Sequence, residues 1–244
     1  MGTGEAPVIA RADPRIRVVS ALLAVAAVSQ LRTLPVSAAA FALAILLVIL
    51  AGADRRLWRR MLHVEGFMLL LFVTLPFTMQ GPVVATLGPL AASSTGIERA
   101  ALIALKVSAS VLTLSALIGD IDPARLGATL HALRVPERFN RLFVMTARYV
   151  SLIRDEARRL SESMRARGFR PGSNRHTWRS YGHLVGMVLV RALDRAERVE
   201  EAMLCRGYAG HYPYTVLPAL LRRDWMLFAS VVACGILILA MDRL

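Results

Sequence analysis

The chain has 244 residues, of which 56% are hydrophobic and 19% charged, and its formal net charge is +13. That apolar content excludes intrinsic disorder. A nucleic-acid binder would account for the charge but not for the hydrophobicity.

The two properties are segregated along the chain. The first apolar run covers residues 16–31 and the second residues 34–50, with Gln30, Arg32 and Thr33 as the polar interruption. About 20 apolar residues span a bilayer, so the stretch suits two tilted helices rather than one. Pro35 fits the first turn of the second helix. A third run, residues 67–86, contains Pro76 and Gly81-Pro82 and reads as a kinked helix ending in a loop. A fourth covers residues 100–118, with Lys106 as its one charge, and a fifth covers residues 225–240. Five crossings are expected, and no cleavable signal peptide is read at the first of them.

Arginines set the expected orientation. Arg11 and Arg15 precede the first run, Arg17 lies at its start, and Arg55, Arg56, Arg59 and Arg60 follow the second. Residues 119–223 hold 19 arginines against 10 acids. The positive-inside rule then puts the amino terminus, residues 51–65 and residues 119–223 on the cytoplasmic side, and the carboxyl end outside. Lys106 is expected to snorkel or to meet another subunit. Three segments follow: membrane helices in 1–118, a cytoplasmic region in 119–223 and a last membrane helix in 224–244.

The cytoplasmic region has helical periodicity. Residues 138–165 read as one amphipathic helix, with Phe139, Leu142, Phe143, Thr146, Tyr149, Val150 and Ile153 recurring every three or four positions. Pro136 and Glu137 mark its start. A second helix is expected from about Tyr181 to Cys205, apolar in its first half and charged in its second. Both helices close on one pattern. The first ends Met164-Arg165-Ala166-Arg167-Gly168-Phe169 and the second Met203-Leu204-Cys205-Arg206-Gly207-Tyr208, 39 residues apart. Glycine after a periodic run is a helix stop, because glycine accepts positive φ. Two matched stops, each bearing an arginine, suggest two equivalent docking elements.

On these motifs the chain resembles the transmembrane T component of energy-coupling-factor transporters, and within it the CbiQ family of cobalt transport. The family's Ala-Arg-Gly signatures match Ala166-Arg167-Gly168 and, with cysteine in place of alanine, Cys205-Arg206-Gly207. The stretch Arg191-Ala192-Leu193-Asp194-Arg195-Ala196-Glu197-Arg198-Val199, leading into Glu201-Ala202-Met203, is similar too, as are Gly182-His183-Leu184-Val185-Gly186 and Asp13-Pro14-Arg15. The resemblance implies an all-α polytopic membrane protein with about five transmembrane helices and two long cytoplasmic coupling helices. It would sit in the cell membrane, the inner membrane in a Gram-negative cell. It would act as the coupling subunit of an ATP-driven importer of cobalt or nickel. The implied partners are two copies of a cytoplasmic ATP-binding subunit, a membrane substrate-binding subunit and, as a further candidate, a small accessory membrane subunit, with no nucleic acid.

In that resemblance Arg167 and Arg206 contact the ATPases, Gly168 and Gly207 turn the chain out of each helix, and Ala166 and Cys205 permit close approach. Met164, Arg191, Arg195, Glu197, Arg198, Glu201 and Met203 support the coupling helices. The sequence has no Walker-type loop, so ATP hydrolysis is expected in a partner. The histidines His63, His131, His176, His183 and His211 form no HxH or HxxH cluster, and a turn is expected between His176 and His183. Neither a resident metal nor a cofactor is expected. The last run accounts for Cys234 as packing, and no disulfide framework is read. The competing class is a membrane enzyme acting on phosphorylated lipid-linked substrates. Asp120 and Asp122 are the only hint of one, and Pro123 makes them read as a helix cap.

Overall fold

A computed structural model describes residues 12–52, 66, 68, 70–78, 82–87, 90–210, 212, 214–215 and 217–243. Arg11, the four arginines at 55–60, His63 and His211 lie outside the described residues. The chain folds as two compact units, one formed by Met1–Ile121 with Pro218–Leu244 and the other by Asp122–Leu217.

The first unit begins with α1 (Pro14–Gln30) and α2 (Leu34–Leu50). Asp13 caps α1 by accepting the N–H of Arg15 at 2.8 Å, and Pro14 occupies the first helical position, where a missing N–H costs nothing. Residues 66, 68 and 70–78 are helical and belong to α3, which runs through Pro76. The antiparallel hairpin of β1 (Val83–Leu87) and β2 (Leu90–Ser93) follows. The expectation of a kinked helix ending in a loop over residues 67–86 is corrected at its end: the chain is strand from Val83. Gly81-Pro82 removes a helical donor and biases the chain to extended backbone, and Val83-Val84 favours a strand over a helix.

Next comes α4 (Ser94–Ile118), capped by the Ser93 side chain accepting the Gly96 N–H at 3.1 Å. The last helix, α8 (Arg222–Arg243), returns to this unit. Val36, Ala40, Ala44 and Val48 form one face of α2 and pack against Ala109, Leu112 and Ala116 of α4. Small side chains at these positions bring the two backbones close.

Polar clamps tie the helix ends together. The buried guanidinium of Arg17 donates to the carbonyl of Leu117 at 2.8 Å and pairs with Asp120, holding the end of α4 against the start of α1. Asp224 accepts the N–H of Asp13 at 3.1 Å and that of Leu221 at 2.9 Å. Asp242 accepts the N–H groups of Arg32 and Thr33 at 2.8 and 2.9 Å, and the Thr33 hydroxyl at 2.6 Å. Lys106 donates to the carbonyl of Ser29 at 3.0 Å. Therefore α1 and α8 run parallel, with their starts together at Asp13 and Asp224 and their ends together at Arg32 and Asp242.

Outward faces of this unit carry exposed Leu22, Leu23, Ile45, Leu46, Ile49, Ile236 and Leu237. Among the described residues two helices, α4 and α8, are long and apolar enough to cross a membrane. Apolar α2 has 17 residues, and α1 has 17 with Arg15 and Arg17 in its first turn.

The second unit holds α5 (Pro123–Ala132), α6 (Glu137–Ala166) and α7 (Arg175–Cys205). Sequence periodicity placed α6 within one residue at each end. It did not register α5, whose ten residues are too few for a strong repeat. Asp122 occupies the cap position of α5, but its side chain makes no capping bond, and the other half of the aspartate pair, Asp120, is the partner of Arg17. Asn174 caps α7 by accepting the N–H of Thr177 at 2.8 Å, so α7 starts six residues before the expected Tyr181. The expected turn between His176 and His183 is corrected accordingly: both lie on one continuous helix.

Candidate functional site

The two Met-x-x-Arg-Gly-aromatic segments adopt one backbone geometry. In α6 the N–H of Gly168 donates to Arg165 at 3.0 Å and that of Phe169 to Met164 at 3.1 Å. In α7 the N–H of Gly207 donates to Leu204 at 2.9 Å and that of Tyr208 to Met203 at 3.0 Å. Each is a Schellman ending, in which the two residues past the helix satisfy its last carbonyls. Gly168 has φ +84° and Gly207 φ +77°, the left-handed region that other residues enter at a cost. In this geometry the methionine and the aromatic stand at the two positions whose side chains commonly make an apolar contact across the motif. Met164, Met203, Phe169 and Tyr208 are all half-buried.

The arginine falls at the same place in both endings. Arg167 has φ −87° and ψ 15°, and Arg206 has φ −90° and ψ 11°. Both are exposed, as are Ala166 and Cys205, and neither guanidinium has a hydrogen-bond or ion-pair partner among the described residues. A long cation is thus presented from a fixed backbone with its donors free, which suits bidentate recognition of a carboxylate or a pair of carbonyls.

The aromatics fasten the endings to their own unit. Phe169 meets Tyr181 of α7 edge-on at 5.7 Å. Tyr208 accepts a hydrogen bond from Arg141, whose guanidinium also stands 5.9 Å from the Tyr208 ring centre. Arg141 lies 25 helical positions before Ala166, about 38 Å at 1.5 Å per residue. The two arginine tips therefore sit at opposite ends of α6.

Between them α6 and α7 cross. Arg191 pairs with Glu156 at the crossing, where Leu152, Val188, Ala192 and Arg195 gather. On the side toward Tyr208 the helices diverge around an open groove of about 660 Å³, floored by Leu142, Met145, Tyr149, Ala196, Val199 and Met203 and edged by Arg138, Arg195 and Glu200. Of the residues expected to support the helices, Arg191, Arg195 and Met203 come together along this crossing and groove. Glu197, Arg198 and Glu201 are exposed on α7 without a partner among the described residues, and Met164 serves the ending of α6.

Sequence reasoning did not find the polar knot at the start of α6. Glu137 accepts the Tyr214 hydroxyl at 3.0 Å and the Tyr212 N–H at 3.3 Å, and its other oxygen lies 3.3 Å from Nδ1 of His131. His131 stacks on Tyr214 with ring centres 4.5 Å apart. Burial, then the hydrogen bond to Glu137 and its charge, push the Tyr214 phenol up to about 12. The knot anchors the segment that leaves Tyr208. A distant pairing of this kind leaves no periodic trace in the sequence.

Among the described residues no cluster of three or more His, Cys, Asp or Glu could hold a metal. Residues 5–215 match the family model described as CbiQ, cobalt transport protein. The chain belongs to the CbiQ family.

Members of that family are non-catalytic transport subunits of the energy-coupling-factor type, and the chain shares their family. It is similar to the cobalt transport protein CbiQ of Rhodobacter capsulatus, at 28% identity over 148 residues, which is 59% of this chain and 60% of that relative. The chain thus spans about three fifths of the curated relative it matches. The match to the family model includes both arginine tips, α5, the crossing and the polar knot.

Proposed function

We propose that the chain is the membrane coupling subunit of an ATP-driven importer for cobalt or nickel ions. It crosses the membrane with α1, α2, a helix containing α3, α4 and α8, and its second unit lies on the cytoplasmic side. The parallel pairing of α1 with α8 supports a start of α1 and an end of α8 on opposite sides, and the arginine excess supports the start of α1 being the inner one. Two copies of a cytoplasmic ATP-binding subunit each receive one tip, Arg167 on the first and Arg206 on the second. Closure of the ATPases on ATP moves the tips, and the α6–α7 crossing carries that movement to a membrane substrate-binding subunit.

One observation carries the reading: two helix ends of matched φ, ψ and hydrogen bonding hold out unpaired arginines about 38 Å apart along α6. Rigidity is needed at such a tip, because force is not transmitted through a frayed end. The Schellman bonds supply that rigidity. A membrane enzyme would need convergent acids and bases at one place. Asp120 is instead held by Arg17, and Asp122 stands at the head of α5.

The test is uptake of cobalt and of nickel by cells carrying Arg167→Ala and Arg206→Ala together, with ATPase retention on the purified complex. Uptake is expected to be lost and ATPase retention to fall, while the chain still reaches the membrane. Normal uptake with a fully assembled complex would end the coupling role of these residues. A reporter fused after Leu244 tests the topology, and a cytoplasmic signal would overturn the five-helix arrangement.

A further inference from the structure

The two tips share a backbone but not a surroundings. In the 25 residues centred on Arg167, positions 155–179, there are seven arginines and three acids. Two of those acids are already engaged, Glu162 by Arg158 and Glu156 by Arg191. In the 25 residues centred on Arg206, positions 194–218, there are three arginines and four acids. The balance is +4 around the first tip and −1 around the second. No acid at all stands between Glu162 and Asp194.

Across that acid-free stretch Arg165, Arg167, Arg170, Arg175 and Arg179 are all exposed, and none has an ion-pair partner among the described residues. Trp178 lies among them at 75% exposure. Arginine and tryptophan dominate the energetics of protein interfaces, the arginines by charge and the indole by filling a pocket. Around the second tip the exposed acids offset the arginines, and the residues that follow Tyr208 are apolar or neutral as far as Leu221 apart from His211.

We propose that the chain holds its two ATPases by unequal means. This rests on the reading that each tip docks one ATPase. The tip at Arg167, widened by Arg170, Arg175, Arg179 and Trp178, takes an acidic protein surface by long-range attraction. The tip at Arg206 takes its ATPase through short-range hydrogen bonds and apolar contact. An acidic protein surface fits the first tip better than a lipid bilayer does. Its guanidiniums flank a helix end of fixed geometry, whereas attraction to headgroups demands no fixed backbone. Electrostatic attraction raises the rate of encounter and is screened by salt. The ATPase at Arg167 therefore arrives first at low ionic strength and leaves first as salt rises.

The experiment uses the full chain in nanodiscs of neutral phosphatidylcholine with its co-expressed ATPase, counting bound ATPase copies by light scattering as salt is raised from about 0.05 to about 0.5 M. The wild-type chain is expected to pass from two copies to one before losing the second. Arg170→Gln, Arg175→Gln and Arg179→Gln together are expected to weaken one of the two binding events about tenfold at low salt and to leave the other unchanged. The triple lysine variant keeps the charge and is expected to behave as wild type. Arg134→Gln, Arg148→Gln and Arg154→Gln remove the same net charge elsewhere on the unit and are expected to change neither event.

Loss of both copies at one salt concentration overturns the inference. So does an equal weakening of both events by the glutamine triple. If that triple binds ATPase normally but no longer binds phosphatidylglycerol vesicles, the basic stretch serves the membrane and the inference also fails. In each of these three cases two copies still bind and the docking reading stands. A wild-type chain that retains no ATPase even at low salt defeats the docking reading itself.

Discussion

Replacing Gly168 and Gly207 with alanine isolates what the helix endings require. An alanine Cβ built at either position meets no atom within 4 Å, so packing does not oppose it. The backbone does, because φ is +84° at one and +77° at the other. A left-handed non-glycine residue costs about 1–2 kcal/mol. Removing a glycine from the unfolded chain returns about 0.4–1 kcal/mol. The net is roughly 1 kcal/mol per ending, about a fivefold shift toward the opened end. Hydrogen exchange reads this directly, since the amides of Phe169 and Tyr208 donate to Met164 and Met203 only while the ending is intact. Their exchange should quicken about fivefold in the respective variants, by the same free-energy difference. Gly182→Ala is the internal control. Its Cβ also meets nothing within 4 Å, but its φ is not positive, so it should stabilise α7 by about 0.8–1 kcal/mol. If Gly168→Ala and Gly207→Ala protect these amides as well as wild type does, backbone strain does not set the endings and the rigidity assigned to them loses its basis.

Arg17→Ala should lower the stability of the detergent-solubilised chain by about 1–3 kcal/mol, since it strips a charged donor from the Leu117 carbonyl inside the bundle. Asp120→Asn should cost under about 1 kcal/mol, because a pair with a half-exposed acid is screened. Equal thermal shifts for the two variants would contradict the burial argument. Tyr214 holds its proton more tightly in the folded state than in the unfolded, where the phenol ionises near 10. Its contribution is therefore complete below about pH 10 and fades as pH climbs toward about 12. Phenolate absorbance followed to high pH should lose a late-titrating phenol in Tyr214→Phe. Arg134 sits at the end of α5 with φ 61°. Arg134→Gly should raise the melting temperature, by relief of about 1 kcal/mol of left-handed strain.

Local regularity made parts of the molecule readable in advance. The 3.6-residue repeat of Phe139, Leu142, Phe143 and Thr146 fixed α6, and glycine followed by an aromatic fixed where both long helices stop. The beginning of α7 was less plain. Residues 175–180 carry Arg175, His176 and Arg179 rather than an apolar stripe, and the helix is started there by one side chain, Asn174, reaching the Thr177 N–H. Positive-inside counting treated Arg17 as one of several interchangeable charges, yet it is buried and bonded to the far end of α4. The repeated arginine was visible as a motif, but the equality of its backbone angles was not. The groove depends on where two helices diverge, and no pattern within either helix encodes that.

The order in which the chain is synthesised gives the clamps at Asp224 and Asp242 a temporal meaning. The N–H groups of Asp13, Arg32 and Thr33 emerge from the ribosome before the second unit, and the carboxylates that accept them emerge after it. Until α8 arrives, both ends of α1 have unmet donors. The first unit thus closes only after the whole of the second has been made. A ribosome that stops short of residue 224 releases a chain with its arginine tips complete and its anchor unfinished. If the tips dock ATPases as proposed, such fragments would compete for them, and a cell that degrades unclosed membrane bundles would clear them.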